Sequence, residues 1–325
     1  MTGVQTCALP IYFPDGNIPN LRIKNTPVPP AEDARPDPTD VSAALEPVVE
    51  LLDGKLIAVI TGAGISTDSG LPDYRSPGAV DRHPMTLQQF MSDESYRRHY
   101  WARNHSGWLA PLRAQPNAGH LALAQMERDG IIDGVITQNV DMLHARAGTH
   151  SLVNLHGRFD RVMCTSCHRI FPRAALHKRL VELNPTWQIS IDEGDVAPDA
   201  DLDVGDTSGF VIANCPACGG ILRTDVVFFG GTVRPHIVRA ARTLVEKADA
   251  LLVAGSSLAV GSAMRFVRQA HHEDKPIAII NRGATRGDRF AQVRVNIGTS
   301  TALPYLAERL HASAAPRQAR PVFSR

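Results

Sequence analysis

The sequence predicts an α/β protein built on a doubly wound parallel sheet. Short, continuous apolar runs recur along the chain, and segments with helical periodicity separate them. Runs of this kind are typical of strands buried on both faces, and their alternation with helices favours parallel pairing. Turns rich in glycine and polar side chains follow several runs, at the sheet edge where open α/β sheets bind their ligands. One pattern therefore predicts both the fold class and the place of a site.

The composition excludes several classes of protein. The chain has 325 residues, of which 43% are hydrophobic, enough for one large domain or two. Its 34 Lys and Arg nearly balance 33 Asp and Glu, which argues against a broad basic face for nucleic acid. No apolar run approaches the ~20 residues of a membrane-spanning helix. Five cysteines in this length exclude a disulfide scaffold. We expect neither nucleic acid nor a membrane as a partner.

Residues 1–40 show neither helical nor strand periodicity, and we expect a disordered or non-native leader there. The opening Met1–Ile11 resembles translated sequencing adapter. Cys7 is therefore left out of the functional argument, and the native start would be missing. The segment is a poor match to a signal peptide or a mitochondrial transit peptide. Free-thiol usage and the lack of a targeting signal make a bacterial cytoplasmic protein the expectation, and a mitochondrial matrix location stays open only if a leader is missing from this sequence.

The first folded element is a helix that begins at Val41. Apolar residues follow the i, i+3, i+4, i+7 rule as far as Leu52, although Pro47 removes a backbone donor and favours a kink. Strands and helices then alternate. The expected strands are Lys55–Thr61, Ile131–Thr137, Ala250–Ala254 and Pro276–Ile280, and the expected helices are Ala118–Arg128, Pro235–Lys247 and Ser262–His271.

Two stretches interrupt the alternation. Residues 76–111 are mostly polar and helical, with the aromatic side chains Tyr96, Tyr100, Trp101 and Trp108 among them. Residues 158–223 carry two C-x-x-C pairs and an acidic loop, 192–206, with seven Asp or Glu and no Lys or Arg. A solvated loop explains that acidic segment without a ligand. We expect a helical insertion and a small separate module at these places.

The turn after the first strand is Gly62–Arg75, GAGISTDSGLPDYR. Glycines at a strand-to-helix turn let the backbone approach a pyrophosphate. The dinucleotide fingerprint G-x-G-x-x-G would need glycine at position 67, where the chain has Thr67. Glycine spacing alone leaves a phosphate-binding turn and a plain tight turn equally open.

Polar side chains also follow four other strands. Gln138, Asn139 and Asp141 come after Ile131–Thr137, and His156 follows a further short strand. Capping of the next helix would explain Asn139 and Asp141 without a ligand, but three amide and acid groups in four positions favour ligand contact. A histidine can act as a base near neutral pH. The turns after the last two strands present Gly255, Ser256, Ser257 and Asn281, and together the turns predict one extended nucleotide crevice.

The two C-x-x-C pairs predict a metal site. They consist of Cys164, Cys167, Cys215 and Cys218. Four thiolates at this spacing close a tetrahedral zinc site and leave no open position, so the ion would be structural. Two redox dithiols are the alternative, and the gap of 47 residues between the pairs is longer than in most zinc ribbons.

In this order, GAGISTDSGLPDYR, TQNVDMLH, LHG, the paired C-x-x-C, DVVFFG, GSSLAV and a later Asn closely resemble the sirtuins. Sirtuins are NAD-dependent protein-lysine deacylases, and the resemblance spans about residues 41–310. YWARN, GW, NPTW and the long inter-cysteine insert are similar to the class II branch, whose members are linked to deacylation, lipoamide removal and ADP-ribosyl transfer.

The resemblance implies roles for single residues. His156 would be the general base on the ribose hydroxyls, and Asn139 and Asp141 would surround the nicotinamide and its ribose. The acyl group would pass to ADP-ribose as nicotinamide leaves. The implied NAD contacts are Gly62, Ala63, Gly64, Ser66, Asp73, Arg75, Gln138, Asn139, Asp141, Gly255, Ser256, Ser257, Asn281 and Thr299.

The resemblance also implies a substrate and a division into domains. An acyl-lysine protein or peptide would pair with Val226–Gly230 as an added strand. Thr224 and Gly231, which flank this segment, depart from the usual Pro and acid, and the Tyr-x-x-Arg pair for succinyl groups is absent. The expected parts are a Rossmann-like NAD-binding domain (41–75, 112–157 and 225–311), a helical insertion with the cofactor loop (76–111), a zinc-binding module (158–224) and a flexible tail (312–325).

Four other functions stay open from the sequence. An ADP-ribosyltransferase or a lipoamidase could use the same site, because only the nucleophile or the acyl chain would differ. A non-catalytic NAD-binding module would not need Asn139, Asp141 and His156. A nicotinamide-linked dehydrogenase is the outside alternative, but no second strand ends in the acid that it requires. The resemblance favours the deacylase.

Overall fold

The structure is a computed structural model that describes residues 37–73, 85–187 and 205–311. The expected leader up to residue 36, Arg75 of the cofactor loop, most of the acidic loop and the expected tail lie outside the described residues. Within those ranges, every helix is too short or too polar to cross a bilayer.

The main sheet has six parallel strands in the order β3-β2-β1-β7-β8-β9. This is the order of a doubly wound Rossmann-like sheet, in which the winding reverses beside the first strand. β1 pairs with β2 on one side and with β7 on the other, so the reversal lies between β1 and β7. The strands are β1 Ile57–Thr61, β2 Ile132–Thr137, β3 Leu152–Asn154, β7 Ala250–Ala254, β8 Ile277–Ile280 and β9 Val293–Val295.

Helices cover both faces of this sheet. Along β1, Ile57 and Val59 join the core under one layer of helices, and Ala58 and Ile60 join the core under the other. This alternation follows from the two-residue period of a strand. The helices on the first face are α1 Val41–Leu52, α5 Ala118–Arg128 and α10 Thr299–Arg309, and those on the second are α8 Pro235–Lys247 and α9 Gly261–His272. The predicted fold class is confirmed.

The helix from Val41 tolerates its proline. Asp40 caps it by accepting a hydrogen bond from the backbone N–H of Ala43, and the helix continues through Pro47 to Leu52. Four apolar residues of one face are buried, so tertiary packing outweighs the lost backbone donor.

A second, smaller sheet forms the module with the cysteines. Its three antiparallel strands lie in the order β5-β4-β6. They are β4 Gly157–Cys164, β5 Ile170–Pro172 and β6 Leu222–Val226, and helix α7 Arg173–Leu183 follows β5. β4 starts one residue before the expected start of the module, residue 158, and β6 runs two residues past its expected end, residue 224. The division into domains stays a prediction.

Three helices of the insertion pack against this module. They are α2 Leu87–Ser92, α3 Glu94–Gly107 and α4 Leu109–Arg113, and of these it is α3 whose contacts with the module carry the packing. The short helix α6 Leu143–Arg146 lies after β2. Arg173 is fully buried where α3 meets the module. Its guanidinium carbon lies 5.2 Å from the ring centre of Trp101 and 4.8 Å from that of Trp108. Its Nη2 also donates to Oδ1 of Asn104 at 2.9 Å. These contacts join the insertion to the module.

Candidate active site

The turns after β1 and β7 contact each other at the point where the sheet reverses. The backbone N–H of Gly64 donates to the carbonyl oxygen of Gly255 at 2.9 Å. A Cβ atom on Gly62 would meet Cβ of Ser256 at 2.8 Å, and one on Gly255 would meet the backbone nitrogen of Ile65 at 2.4 Å. Gly255 also has a φ of +64°. At Gly62 and Gly255, a side chain would clash with residues of the neighbouring turn.

Ser66, Asn139 and Asp141 form one hydrogen-bonded group beside these turns. Nδ2 of Asn139 donates to the carbonyl oxygen of Gly62 at 3.0 Å and to Oγ of Ser66 at 3.1 Å. Oγ of Ser66 in turn donates to Oδ2 of Asp141 at 2.7 Å. Oδ1 of the same carboxylate accepts from the backbone N–H of Leu143 at 2.9 Å. The predicted side chains at the end of β2 are thus tied to the turn after β1.

Burial and hydrogen bonds act in opposite directions on the pKa of Asp141. Asp141 is 5% exposed, and desolvation raises the pKa of its carboxyl above the ordinary value of 3.8. Hydrogen bonds from Leu143, Ser66 and Asn139 oppose that rise because they stabilise the ionised form. The result is a shielded acid whose oxygens are already oriented by donors.

Gln138 connects this group to the turn after β7. Its Nε2 donates to Oγ of Ser256 at 2.6 Å and to the carbonyl oxygen of Thr61 at 3.2 Å. Oγ of Ser256 also accepts from the backbone N–H of Leu258 at 3.2 Å. The amide therefore joins three strand ends, those of β1, β2 and β7.

His156 lies just beyond β3 and faces the same region. Its Nε2 hydrogen-bonds with Oγ of Ser262 at 2.7 Å, and its ring also bonds to the backbone of Gln138. The ring keeps part of its surface exposed, yet desolvation by the surrounding chain lowers its pKa to about 4, and the bond to Gln138 opposes that shift. The imidazole is therefore neutral at pH 7 and able to accept a proton.

The structure brings most of the other predicted NAD residues to the same sheet edge. Asn281 is buried at the end of β8, where its Nδ2 donates to the carbonyl oxygens of Arg282 and Gly283. Thr299 begins α10 and is 3% exposed, and its hydroxyl has no hydrogen-bond partner among the described residues. A buried hydroxyl without a partner and a row of amides and hydroxyls along this edge fit a dinucleotide. Ala63, Asp73 and Ser257 lie in the described turns, whereas Arg75 lies outside them.

The four predicted cysteines converge. Their Sγ atoms all lie within 4.8 Å of one another. Sγ of Cys164 is 3.5 Å from that of Cys218, and Sγ of Cys167 is 3.8 Å from that of Cys215. The backbone N–H groups of Ser166 and Cys167 point at Sγ of Cys164, each at 3.4 Å. Four thiols with donors to one sulfur fit a closed structural zinc site.

Val226–Gly230, the segment expected to pair with a substrate peptide, borders the candidate active site at His156. The backbone N–H of Val227 donates to the carbonyl oxygen of His156 at 2.8 Å, and the carbonyl oxygen of Phe229 accepts from Leu87 at 2.9 Å. Phe228 lies 5.1 Å, centre to centre, from the rings of both Phe90 and Tyr100. The carbonyl oxygen of Phe228 also accepts from the backbone N–H of Gly231 at 2.9 Å. Backbone hydrogen bonds therefore fix the segment, and an apolar aromatic wall lies behind it.

Two residues of the site were not predicted from the sequence. Ser262 holds His156, but nothing in its local sequence ties a serine in the first turn of a helix to a histidine 106 residues away. Asn117 donates to the carbonyl oxygen of Ile65 at 2.7 Å and to Oγ of Ser69 at 3.0 Å. It also caps α5, and an Asn before a predicted helix is a signal that could have pointed to it.

Comparisons with known proteins agree with this geometry. A family model described as the Sir2 family matches residues 62–262. The NAD-dependent protein deacetylase 1 of Mycobacterium avium (strain 104) is 50% identical over 266 residues, 81% of this chain and 94% of that protein. The mitochondrial NAD-dependent protein lipoamidase sirtuin-4 of Homo sapiens is 43% identical over 259 residues, 78% of this chain and 82% of that protein. A solved structure described as Sir2-p53 peptide-NAD+ is similar with a TM-score of 0.64 at 28% identity, over 82% of this chain and 96% of that chain.

Proposed function

The chain belongs to the Sir2 family, and on that premise we propose how its site residues divide the work of the reaction. It is an NAD-dependent enzyme that acts on acyl-lysine. We propose that the acyl group passes to the ADP-ribose part of NAD while nicotinamide is released. The observation that carries this proposal is the position of Asn139, Asp141 and His156 at neighbouring strand ends. Ser66 joins Asn139 to Asp141, and the His156 ring bonds to the backbone of Gln138, the residue before Asn139.

Asn139 and Asp141 hold the nicotinamide end of NAD in this proposal. NAD supplies a glycosidic bond whose cleavage frees nicotinamide and opens the ribose carbon to the acyl oxygen. Ser66 and the backbone of Leu143 fix the Asp141 carboxylate before the substrate arrives, and Gly62 and Ser66 fix the Asn139 amide. Oriented groups of this kind favour the transition state because they need no reorganisation.

His156 is the general base in this proposal. It accepts a proton from a ribose hydroxyl, and its neutral form at pH 7 keeps one ring nitrogen unprotonated, as a base requires. The Ser262 hydroxyl and the Gln138 backbone orient the ring. Ser262 is therefore a positioning residue, because it acts through the histidine.

The acyl-lysine is proposed to enter along Val226–Gly230. Relatives of known structure described as Sir2 bound to acetylated peptide support binding of a peptide. In this chain, the N–H of Val227 and the carbonyl oxygens of Phe228 and Phe229 already have backbone partners. A peptide would therefore pair with the remaining backbone groups of the segment. The wall of Phe90, Tyr100 and Phe228 favours an apolar acyl chain over a charged one.

Lipoyl-lysine is a second candidate substrate on the same site. The aromatic wall suits a long apolar chain, and the relatives from Bos taurus and Homo sapiens, both 43% identical, are named lipoamidases. ADP-ribosyl transfer would use the same NAD residues with a different nucleophile. The products separate these possibilities.

The test is a panel of acetyl-, octanoyl-, lipoyl- and succinyl-lysine peptides with NAD, with products identified by mass spectrometry. We expect deacylated peptide with an unmodified lysine, nicotinamide and O-acyl-ADP-ribose. We expect higher activity on peptides with apolar acyl chains than on the succinyl peptide. The His156→Ala variant should lose about 10²-fold or more of its activity, whereas the exposed His272→Ala control should keep it. Protein-bound ADP-ribose without loss of the acyl group would contradict the proposal.

A further inference from the structure

Four arginines lie on the outer faces of α8 and α9. Arg239 and Arg242 are three residues apart on α8, and Arg265 and Arg268 are three residues apart on α9. Residues at this spacing lie on the same face of a helix, and all four side chains are exposed. These four residues are called the arginine face below.

The two helices are neighbours, so the four arginines form one patch. α8 precedes β7, α9 precedes β8, and these strands are adjacent and parallel. The helices therefore run side by side in the same direction. Nε2 of Gln269 on α9 donates to the carbonyl oxygen of Arg242 on α8 at 3.2 Å. This hydrogen bond fixes the position of one helix along the axis of the other. Arg242 and Arg268 lie at about the same height along the pair.

The positive charge of this face has no compensation in the described chain. None of the four arginines forms an ion pair with a residue in the described ranges. Glu246 is the single acid of the two helices, four residues after Arg242, and it is not paired with it either. Like charges three residues apart destabilise a helix. Because the whole chain carries a net charge of only +1, the patch is a local concentration of positive charge on a chain that is nearly neutral overall.

The arginine face begins at the active site. Ser262, which bonds to His156, is in the first turn of α9, and Arg265 follows it by three residues, a Cβ separation of about 5–6 Å on a helix. α8 starts five residues after Gly230, the last residue of the proposed peptide segment. No acidic residue occurs from 227 to 234 or from 250 to 272. Negative charge on a bound substrate would therefore meet no carboxylate from these two stretches.

We propose that the arginine face receives an acidic surface of the protein that carries the acyl-lysine. This inference rests on the proposed function, because it names the class of protein substrate that the same site takes. A protein substrate is the occupant that the position favours, since the lysine must enter one helical turn from Arg265. Charges at the rim of a binding site act mainly on the rate of encounter, and salt screens them.

The test compares two acyl-lysine peptides of equal length. One carries three Asp or Glu on each side of the lysine, and the other carries Ser and Gln there. We measure kcat/KM for both at about 50 mM and about 300 mM salt, with the wild type and with Arg265→Gln/Arg268→Gln. The matched control is Arg169→Gln/Lys178→Gln, which removes the same charge from exposed positions of the zinc module.

We expect the wild type to prefer the acidic peptide about tenfold at low salt, and this preference to shrink at high salt. The Arg265→Gln/Arg268→Gln variant should lose most of the preference while its kcat on the neutral peptide and its Tm stay unchanged. The control should keep the preference. Equal loss in both double variants would show a general charge effect and overturn the inference.

Two other results would overturn it. The wild type could turn over both peptides equally at both salt concentrations, which leaves the deacylase function standing and removes its proposed selectivity. Alternatively, the arginine variant could keep its peptide preference but lose binding to phosphatidylglycerol vesicles or duplex DNA, which would make the occupant a membrane or a nucleic acid. Failure of the proposed function looks different, because neither peptide would be deacylated with NAD.

Discussion

His156 is neutral at pH 7 because the chain around it removes water from the ring. Desolvation lowers its pKa to about 4, against a bond to the Gln138 backbone that favours the charged form. The Ser262 hydroxyl meets the other side of the ring at Nε2. The proposed base is therefore unprotonated at neutral pH, and its orientation depends on Ser262, which no local motif indicates.

The first prediction at the residue scale concerns the pH dependence of the reaction. Because the active form of His156 is neutral and its pKa lies near 4, kcat/KM should stay level as the pH falls from 8 to about 5.5. The measurement is a pH profile with a saturable acyl-lysine peptide, checked by circular dichroism at each pH. A decline with an apparent pKa near 6.5, the ordinary value of histidine, would contradict the assigned pKa.

A second residue-scale prediction uses two glycines as a matched pair. Gly255 and Gly70 both have positive φ, +64° and +82°. A Cβ atom on Gly255 would meet Ile65 N at 2.4 Å, whereas Gly70 has open space. Gly70→Ala should therefore cost about 1–2 kcal/mol of unfolding free energy from the backbone conformation alone. Gly255→Ala should cost clearly more and lower NAD affinity, as measured by urea unfolding and by calorimetry; equal costs would mean that the two turns do not need their close contact.

At the scale of the elements, hydrophobic periodicity predicted α1, α5, α8 and α9 and the strands β1, β2, β7 and β8, but not β9 or α10. α5 and α8 have the predicted bounds, Ala118–Arg128 and Pro235–Lys247. The same patterns predicted that Gln138, Asn139 and Asp141 would meet the turn after β1, because the carboxyl ends of parallel strands share one edge. The contact of Ser262 with His156 could not be predicted, since it depends on how α9 packs against the sheet.

The cysteine module shows another limit of the sequence at this scale. The C-x-x-C spacing predicted the ligands, but the small sheet of β4, β5 and β6 follows from pairing between distant segments.

The glycines after β1 show a third limit of prediction from the sequence. Their spacing left a phosphate turn and a tight turn open, and only the contact of Gly64 with Gly255 shows what fills the space.

The prediction for this element is loss of the module with its metal. Cys164 and Cys215 belong to the core that joins the small sheet to α3 and α7, and binding of a structural zinc is worth on the order of 10 kcal/mol. Cys215→Ser should lower zinc from one ion per chain, measured by elemental analysis, and should unfold the module and reduce activity. Cys7→Ser is the control and should keep one zinc. A metal-free protein with unchanged stability would contradict the structural role.

At the scale of the whole molecule, burial of neutral histidines makes the fold sensitive to acid. Burial lowers the pKa of His105, His120 and His156 to about 4 and that of His144 well below its ordinary value. In the unfolded chain these groups bind a proton near pH 6.5. The unfolded state therefore binds more protons below that pH, and stability falls as the pH drops from about 6.5 towards 4. Asp141, whose pKa is raised by burial, works in the opposite direction.

We expect each histidine with a pKa of about 4 to remove up to about 3 kcal/mol of unfolding free energy over this range. The measurement is urea unfolding at pH 7, 6, 5 and 4. His105→Gln should flatten the pH dependence because it removes one buried titrating ring, and the exposed His272→Gln should leave it unchanged. Stability that does not change between pH 7 and 4.5 would show that these rings are charged in the folded protein.

The account as a whole depends on whether groups from separate strands act on one bond of NAD. The most direct measurement follows free lysine, nicotinamide and O-acyl-ADP-ribose together, by mass spectrometry, in a single reaction with an acyl-lysine peptide. The account predicts that the three products appear in equal amounts and that Asp141→Asn and His156→Ala both reduce them. Acyl-lysine cleaved without release of nicotinamide would contradict it.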